Sequence, residues 1–309
     1  MLKYIGKRVL MMIPIILGIS FIVFAILDLT PGDPARIILG DGATEENVRN
    51  LRQEMGLDDN FFLRYFRYVI NAVRGDFGKS YRTRVPVLDE LVARMPTSFK
   101  LAIGSMLIMV TVGIPIGILS AIRQYSLIDS ISLGTALILT SMPGFWLGLM
   151  LILFFSLKLN LLPSTGADTW LHFVLPSITQ SASGVAMLIR MTRSSMLETI
   201  RQDYIRTAKA KGAGEGRIVI RHALKNALLP IVTIIGMNFA MLLAGGMIIE
   251  SVFALPGIGS LTVNAIRTKD TPIVLATVVF IAIAIGIMNL IVDILYTYID
   301  PRLKTAIES

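Results

Sequence analysis

Six stretches limit what this chain can fold into: residues 9–27, 101–122, 130–157, 169–189, 226–249 and 271–292 contain no Asp, Glu, Lys or Arg. A helix needs about 20 mostly apolar residues to cross a hydrocarbon layer about 30 Å thick. A surface helix of a soluble domain, by contrast, carries charged residues on one face. Hydrophobic residues make up 54% of the chain and charged ones only 16%, against about 25% in soluble domains. The expected class is an all-α membrane protein with six transmembrane helices.

Charge orients these spans. Lys3, Lys7 and Arg8 precede the first run, so the positive-inside rule places the N-terminus in the cytoplasm. This start resembles a signal peptide, but the apolar run is long and no small-residue cleavage site follows it. A rigid turn from Asp28 to Pro34 follows instead, so the first span is read as uncleaved. Alternation then puts residues 123–129 inside, residues 158–168 outside and both termini inside. Residues 193–227 also fall inside, and they carry eight Lys or Arg against three acids. The net charge of +8 therefore reflects orientation and contact with anionic membrane lipid, and no nucleic-acid signature accompanies it. There are no cysteines, which excludes disulfides and thiolate metal sites.

The chain divides into an N-terminal span (1–29), an extracytoplasmic cap region (30–100) and a five-span core (101–309) carrying the cytoplasmic loop 193–227. In the cap, Thr44 begins one helix, residues 61–73 form an aromatic amphipathic helix, and residues 86–95 form a third. In the loop, residues 204–211 favour a helix that Gly212, Gly214 and Gly216 break, and residues 217–229 start a new helix running into the membrane. The short helix is either presented to a cytoplasmic partner or part of a loop that only fixes topology. Gly113 with Gly117, and Gly144 with Gly148, have spacings that favour close helix packing but are also tolerated without it. Pro115 and Pro143 are expected to kink or interrupt their spans. Asp28, Glu250 and Asp293 stand at span ends, where a helix cap or an interface contact is the expected role.

Catalytic and coupling chemistry is sparse. The uncharged spans lack the mid-membrane ionisable groups of ion-coupled carriers. His172 and His222 lie on expected opposite sides of the membrane and cannot share a metal. Gly78-Lys79-Ser80 resembles the end of a phosphate loop, but the first glycine of that motif is replaced by Val73. What remains is a conduit driven by a partner, with a passive pore or a membrane scaffold as the alternatives.

Five motifs in order carry a resemblance that covers essentially the whole chain. They are Pro31-Gly-Asp-Pro34; Leu162-Pro-Ser-Thr-Gly166 followed by Leu175-Pro176; the loop from Tyr204 through Gly212 to Pro230; Glu250-Ser-Val-Phe with Pro256-Gly-Ile-Gly259; and Tyr298-Ile-Asp-Pro-Arg302. Together they resemble permease subunits of binding-protein-dependent ABC importers, in the first-permease type of the dipeptide, oligopeptide, glutathione and nickel branch. Thr207-Ala208 stands where the wider superfamily has Glu-Ala-Ala.

The resemblance implies a type I importer permease fold in a bacterial or archaeal cytoplasmic membrane. It implies a second homologous permease as heterodimer partner, two cytoplasmic ATPase subunits and an extracytoplasmic substrate-binding protein. ATP and Mg would be bound by the ATPases, with no cofactor in this chain. Coupling to the ATPases would fall to Tyr204, Ile205, Arg206, Thr207, Ala208, Lys209, Lys211 and Gly212. Ser181, Ser183 and Asn238 would line the path, and peptide would be the cargo, with nickel or glutathione as alternatives.

Overall fold

The computed structural model describes residues 2–40 and 42–299 of the chain. Asp300 to Arg302 of the last motif lie outside them. The described residues are helical, with no strand beyond a single bridge between Lys79 and Pro86.

α1 (Leu2–Leu29) leads into three short helices in the expected cap region: α2 (Pro34–Leu39), α3 (Glu45–Glu54) and α4 (Phe61–Val73). Local chemistry sets their starts. The Asp33 side chain accepts from the Ala35 N–H at 3.0 Å, and Thr44 accepts from Asn47 N–H at 3.3 Å, each satisfying a donor that a helix start leaves open. Ala35, Val48 and Leu51 form a small buried nucleus. α4 lies against α1 through Phe21, Phe24, Phe61 and Tyr65, whose rings meet edge to face at centroid distances of 5.1–5.7 Å. Tyr65 donates to the Leu17 carbonyl at 2.8 Å, and Arg64 pairs with Asp28.

α5 (Val87–Ile122) contains what the sequence suggested as a separate helix over residues 86–95. The helix continues through Pro96 because Val87 and Leu91 are buried against Ile258, Leu261, Ile273 and Val274, which hold its first turns in line with the rest. Pro115 also lies within this helix.

α6 (Leu127–Ser141) and α7 (Gly144–Leu151) are separated by Pro143, the expected interruption, and the pair bends by 103°. A π-helical segment, Ile152–Lys158, continues α7. After a short 3₁₀ turn come α8 (Val174–Ile200), α9 (Asp203–Ala210), α10 (Glu215–Arg217), a π-helical turn Ile218–Leu224, α11 (Lys225–Val252), α12 (Ile258–Arg267) and α13 (Thr271–Ile299).

Among the described residues, four helices are long and apolar enough to cross a membrane: Tyr4–Leu29, Val87–Ile122, Glu215–Leu243 and Thr271–Ile294. The bent pair makes a fifth if it is one span. The remaining uncharged run falls in α8. At 27 residues and about 1.5 Å each, α8 is long enough, but its apolar character is diluted by Ser177, Thr179, Ser181, Thr192, Ser195 and Thr199. All six are buried. They are tolerated because α8 sits at the centre, against α5, α6, α7 and α11.

Gly113 and Gly117 make the α5–α8 contact possible. A Cβ added to Gly117 would stand 2.6 Å from Thr192 Cβ and 2.8 Å from the Ile189 carbonyl oxygen. Gly117→Leu should therefore destabilise the protein by at least about 1–3 kcal/mol, because a backbone atom stands in the way and cannot rotate aside. Gly134→Ala, at a site with nothing within 4 Å, should leave the unfolding midpoint in detergent nearly unchanged. Equal midpoints for the two variants would refute the close-packing account.

Candidate functional site

The loop of residues 193–227 is built on an anchored helix. α9 starts from extended Gln202, with Asp203 in its first turn, and ends at Lys211. Gly212 follows with φ +80°, a left-handed conformation that favours glycine and ends the helix. One face of α9 is fastened to the bundle. Ile205 is 1% exposed in a cluster with Met196, Ile218, Ala223 and Ala227. Tyr204 Oη accepts from Asn226 Nδ2, at the foot of α11, at 2.9 Å. The opposite face is open: Arg206, Thr207, Lys209, Lys211 and Gly212 are exposed, and Ala208 is half-buried. Arg206 and Asp203 approach to 3.6 Å, but a fully solvated pair of this kind contributes little. The result is a short helix with an apolar foot and a cationic outer face. The expected helix running into the membrane is also present, since α10, the π-turn and α11 form one continuous run.

Beside this loop lies a clamp that the sequence reading missed. Arg193 in α8 donates from Nε and Nη2 to the two oxygens of Asp129, at 2.7 and 2.8 Å. The same carboxylate accepts from the Ser120 hydroxyl at the end of α5 and from Tyr125 N–H at 2.9 Å. The side chains of Asp129 and Arg193 are 4% and 19% exposed. Three helices, α5, α6 and α8, therefore meet on one carboxylate. The signal was present in part: alternation put residues 123–129 and Arg193 on one side of the membrane, and Asp129 is the acid that closes its short loop.

The expected path residues differ in setting. Ser181 is buried, and its hydroxyl donates to the Ile178 carbonyl at 3.1 Å. Asn238 is half-buried and donates to its own helix at Ile234 O, 2.8 Å away. Ser183 is exposed, on an α8 stripe with Ile178, Met187, Arg190 and Ser194.

At the far end of α11, Glu250 is 1% exposed and takes the expected capping role. It accepts from Ser260 N–H at 2.9 Å, at the start of α12, and from the Ser98 hydroxyl at 2.6 Å. Ser98 in turn accepts from Ile258 N–H at 2.8 Å. A carboxylate here meets the open donors and positive end of the helix. Gly257 is required because a Cβ would stand 2.3 Å from the carboxylate. Asp28 and Asp293 are paired with Arg64 and Arg8.

The phosphate-loop look-alike has a structural job instead. Buried Ser80 donates to buried Asp270, which also accepts from Tyr81 N–H at 3.1 Å, fastening this turn to the start of α13. Burial, with Asp270 nearby, pushes the Tyr81 phenol up to about 12.

Comparison with known proteins places this architecture. The family described as "Binding-protein-dependent transport system inner membrane component" matches residues 113–305, and the N-terminal component of the same transport systems matches residues 1–102. The glutathione transport system permease protein GsiC of Escherichia coli strain K12 is 40% identical over 304 residues, covering 98% of this chain and 99% of that protein. Its counterpart in Shigella boydii serotype 4 is 39% identical with the same coverage. Among solved structures, an inward-facing MetNI methionine ABC transporter superposes with a TM-score of 0.58 at 19% identity, over 68% of this chain and 96% of that one. The chain belongs to the binding-protein-dependent transport system inner membrane component family, as a non-catalytic permease subunit of an ABC importer whose ATP hydrolysis is carried out by separate subunits.

Proposed function

We propose that the chain is a six-span permease that passes small peptides inward, with glutathione, itself a tripeptide, as the first solute to test. The observation that carries this reading is near full-length similarity to glutathione permeases. In it α1, α5, the bent α6–α7 pair, α8, α11 and α13 are the six spans. Both termini are cytoplasmic, and the cap faces outward toward a binding protein. A second, homologous permease pairs with this one, the path runs between the two, and the exposed α8 stripe with Ser183 borders it.

α9 docks in a groove on a cytoplasmic ATPase. Arg206, Thr207, Lys209 and Lys211 make the contact, with Ala208 and Gly212 at the point of close approach, while Ile205 and Tyr204 carry the movement to the foot of α11. ATP and Mg are held by the ATPases, and their energy acts only by stabilising one permease conformation over the other.

Uptake of labelled glutathione, dipeptide and nickel in cells lacking the gene tests this reading. Restoring the native gene should restore one solute. Ala208→Arg, and separately Arg206→Glu with Lys209→Glu, should reduce that uptake by at least about tenfold at normal protein level, since a reversed charge opposes its partner. Full uptake with both variants would mean that α9 is not the coupling contact. Uptake that persists without ATPase subunits would favour a passive pore.

A further inference from the structure

A cavity of ≈ 730 Å³ lies where the cap, α1, α12 and α13 meet, a size typical of sites that enclose a ligand. Its floor is apolar: Val23, Phe24 and Leu27 from α1, with Leu275 and Val278 from α13. Both helices are among those long and apolar enough to cross a membrane, and Ile22 and Ile26 are exposed on α1. The floor thus opens onto the exposed apolar side of α1 at Ile26, which also lines the cavity.

The wall is cationic. Five basic residues line it against Asp28, Asp33 and Asp76. Arg52, Arg64 and Arg67 have carboxylate partners. Lys79 and Lys269 have none among the described residues. Lys269 sits in the α12–α13 turn with φ +52°. Its ammonium lies over Gly32, where a Cβ would come within 2.1 Å of Nζ, so the glycine keeps room for the charge. Two further polar atoms of lining residues, Arg64 Nε and Tyr68 Oη, are buried without a hydrogen-bond partner. Buried donors without partners are rare unless a ligand or water completes them.

Two spare ammonium groups and two unfilled donors above an apolar floor suit a phosphate that carries a hydrocarbon chain. A soluble anion would leave the floor bare, and a zwitterionic lipid would bring its own cation beside a wall that already carries five basic residues against three acids. We propose that this cavity binds one anionic phospholipid, its phosphate between Lys79, Lys269 and Tyr68 and the start of an acyl chain on the α1–α13 floor. The lipid comes from the leaflet in which α1 ends and α13 begins, and it fills the seam between cap and membrane core.

The test is the unfolding midpoint of the purified full-length chain in detergent, titrated with phosphatidylglycerol, phosphatidylcholine or inorganic phosphate. Phosphatidylglycerol should raise the midpoint saturably, and the other two should not. Lys79→Ala with Lys269→Ala should raise the half-saturating phosphatidylglycerol concentration at least about tenfold. Val23→Trp, which fills the floor and keeps both lysines, should abolish the response.

Equal effects of the two lipids would overturn the headgroup assignment. An equal effect of inorganic phosphate would make this a soluble-anion site. An unchanged phosphatidylglycerol response in both variants would place the lipid elsewhere. If the lysine variant fails to fold, the native-protein titration and Val23→Trp still decide the question.

Discussion

Asp129→Ala should destabilise the protein by about 3–5 kcal/mol, the usual effect of removing one partner from a buried ion pair. The loss comes mainly from what remains. Arg193, with a side chain 19% exposed, would lose both of its strong bonds, and Ser120 and Tyr125 N–H would lose their acceptor. Asp129→Leu combined with Arg193→Met should recover most of the stability, because buried ion pairs are often replaceable by apolar groups of similar size. Unfolding midpoints of Asp129→Leu, Arg193→Met and the double variant form a cycle that isolates the pairwise part. Simple additivity of the two single effects would show that the pair is not coupled and that the clamp is incidental. A native-like midpoint for Asp129→Ala would have the same meaning.

Glu250→Ala is the second large effect. The carboxylate is 1% exposed, and it satisfies Ser260 N–H and the Ser98 hydroxyl, which in turn holds Ile258 N–H. A buried donor left unmatched costs about 1–3 kcal/mol, and the missing side chain leaves a void. A loss of about 2–5 kcal/mol is expected, together with faster proteolysis between residues 253 and 270, because α12 loses its cap. Glu250→Gln keeps the shape but turns an amide NH₂ toward one of the two donors, so it should lose about 1–3 kcal/mol. Ser251→Ala removes only a bond to its own helix at Met247 O and should be nearly neutral. If Glu250→Ala matches Ser251→Ala, the carboxylate is not what holds α12.

Features that depend on local sequence were the legible ones. Most of the uncharged runs lie in long helices, Thr44 began its helix, Pro143 broke its run, and the glycines after Lys211 ended α9. Each depends on residues within a few positions of one another, or on the length of one apolar run. What could not be read depends on distant partners. Asp129 finds Arg193 across 64 residues, Glu250 finds Ser98 across 152, and Ser80 finds Asp270 across 190. The extension of α5 back to Val87 was missed for the same reason, since it rests on contacts from α12 and α13. For α8 the sequence showed an uncharged run, but only its central position explains why so many hydroxyls are acceptable there. The loop was legible as a short helix ended by glycine, which is what α9 is. The inward turn of Ile205 depends on the Ala223–Ala227 surface that receives it.

The unbroken run from Glu215 to Val252 has a mechanical meaning. At about 1.5 Å per residue it is a rod roughly 57 Å long, held at its foot by Tyr204 on Asn226 and at its head by Glu250 on the start of α12. A shaft held at both points ties the α9 loop to the start of α12 through one helical run. The π-turn Ile218–Leu224 is the one wide coil among the described residues of this shaft, and it lies on the far side of Asn226 from Glu250.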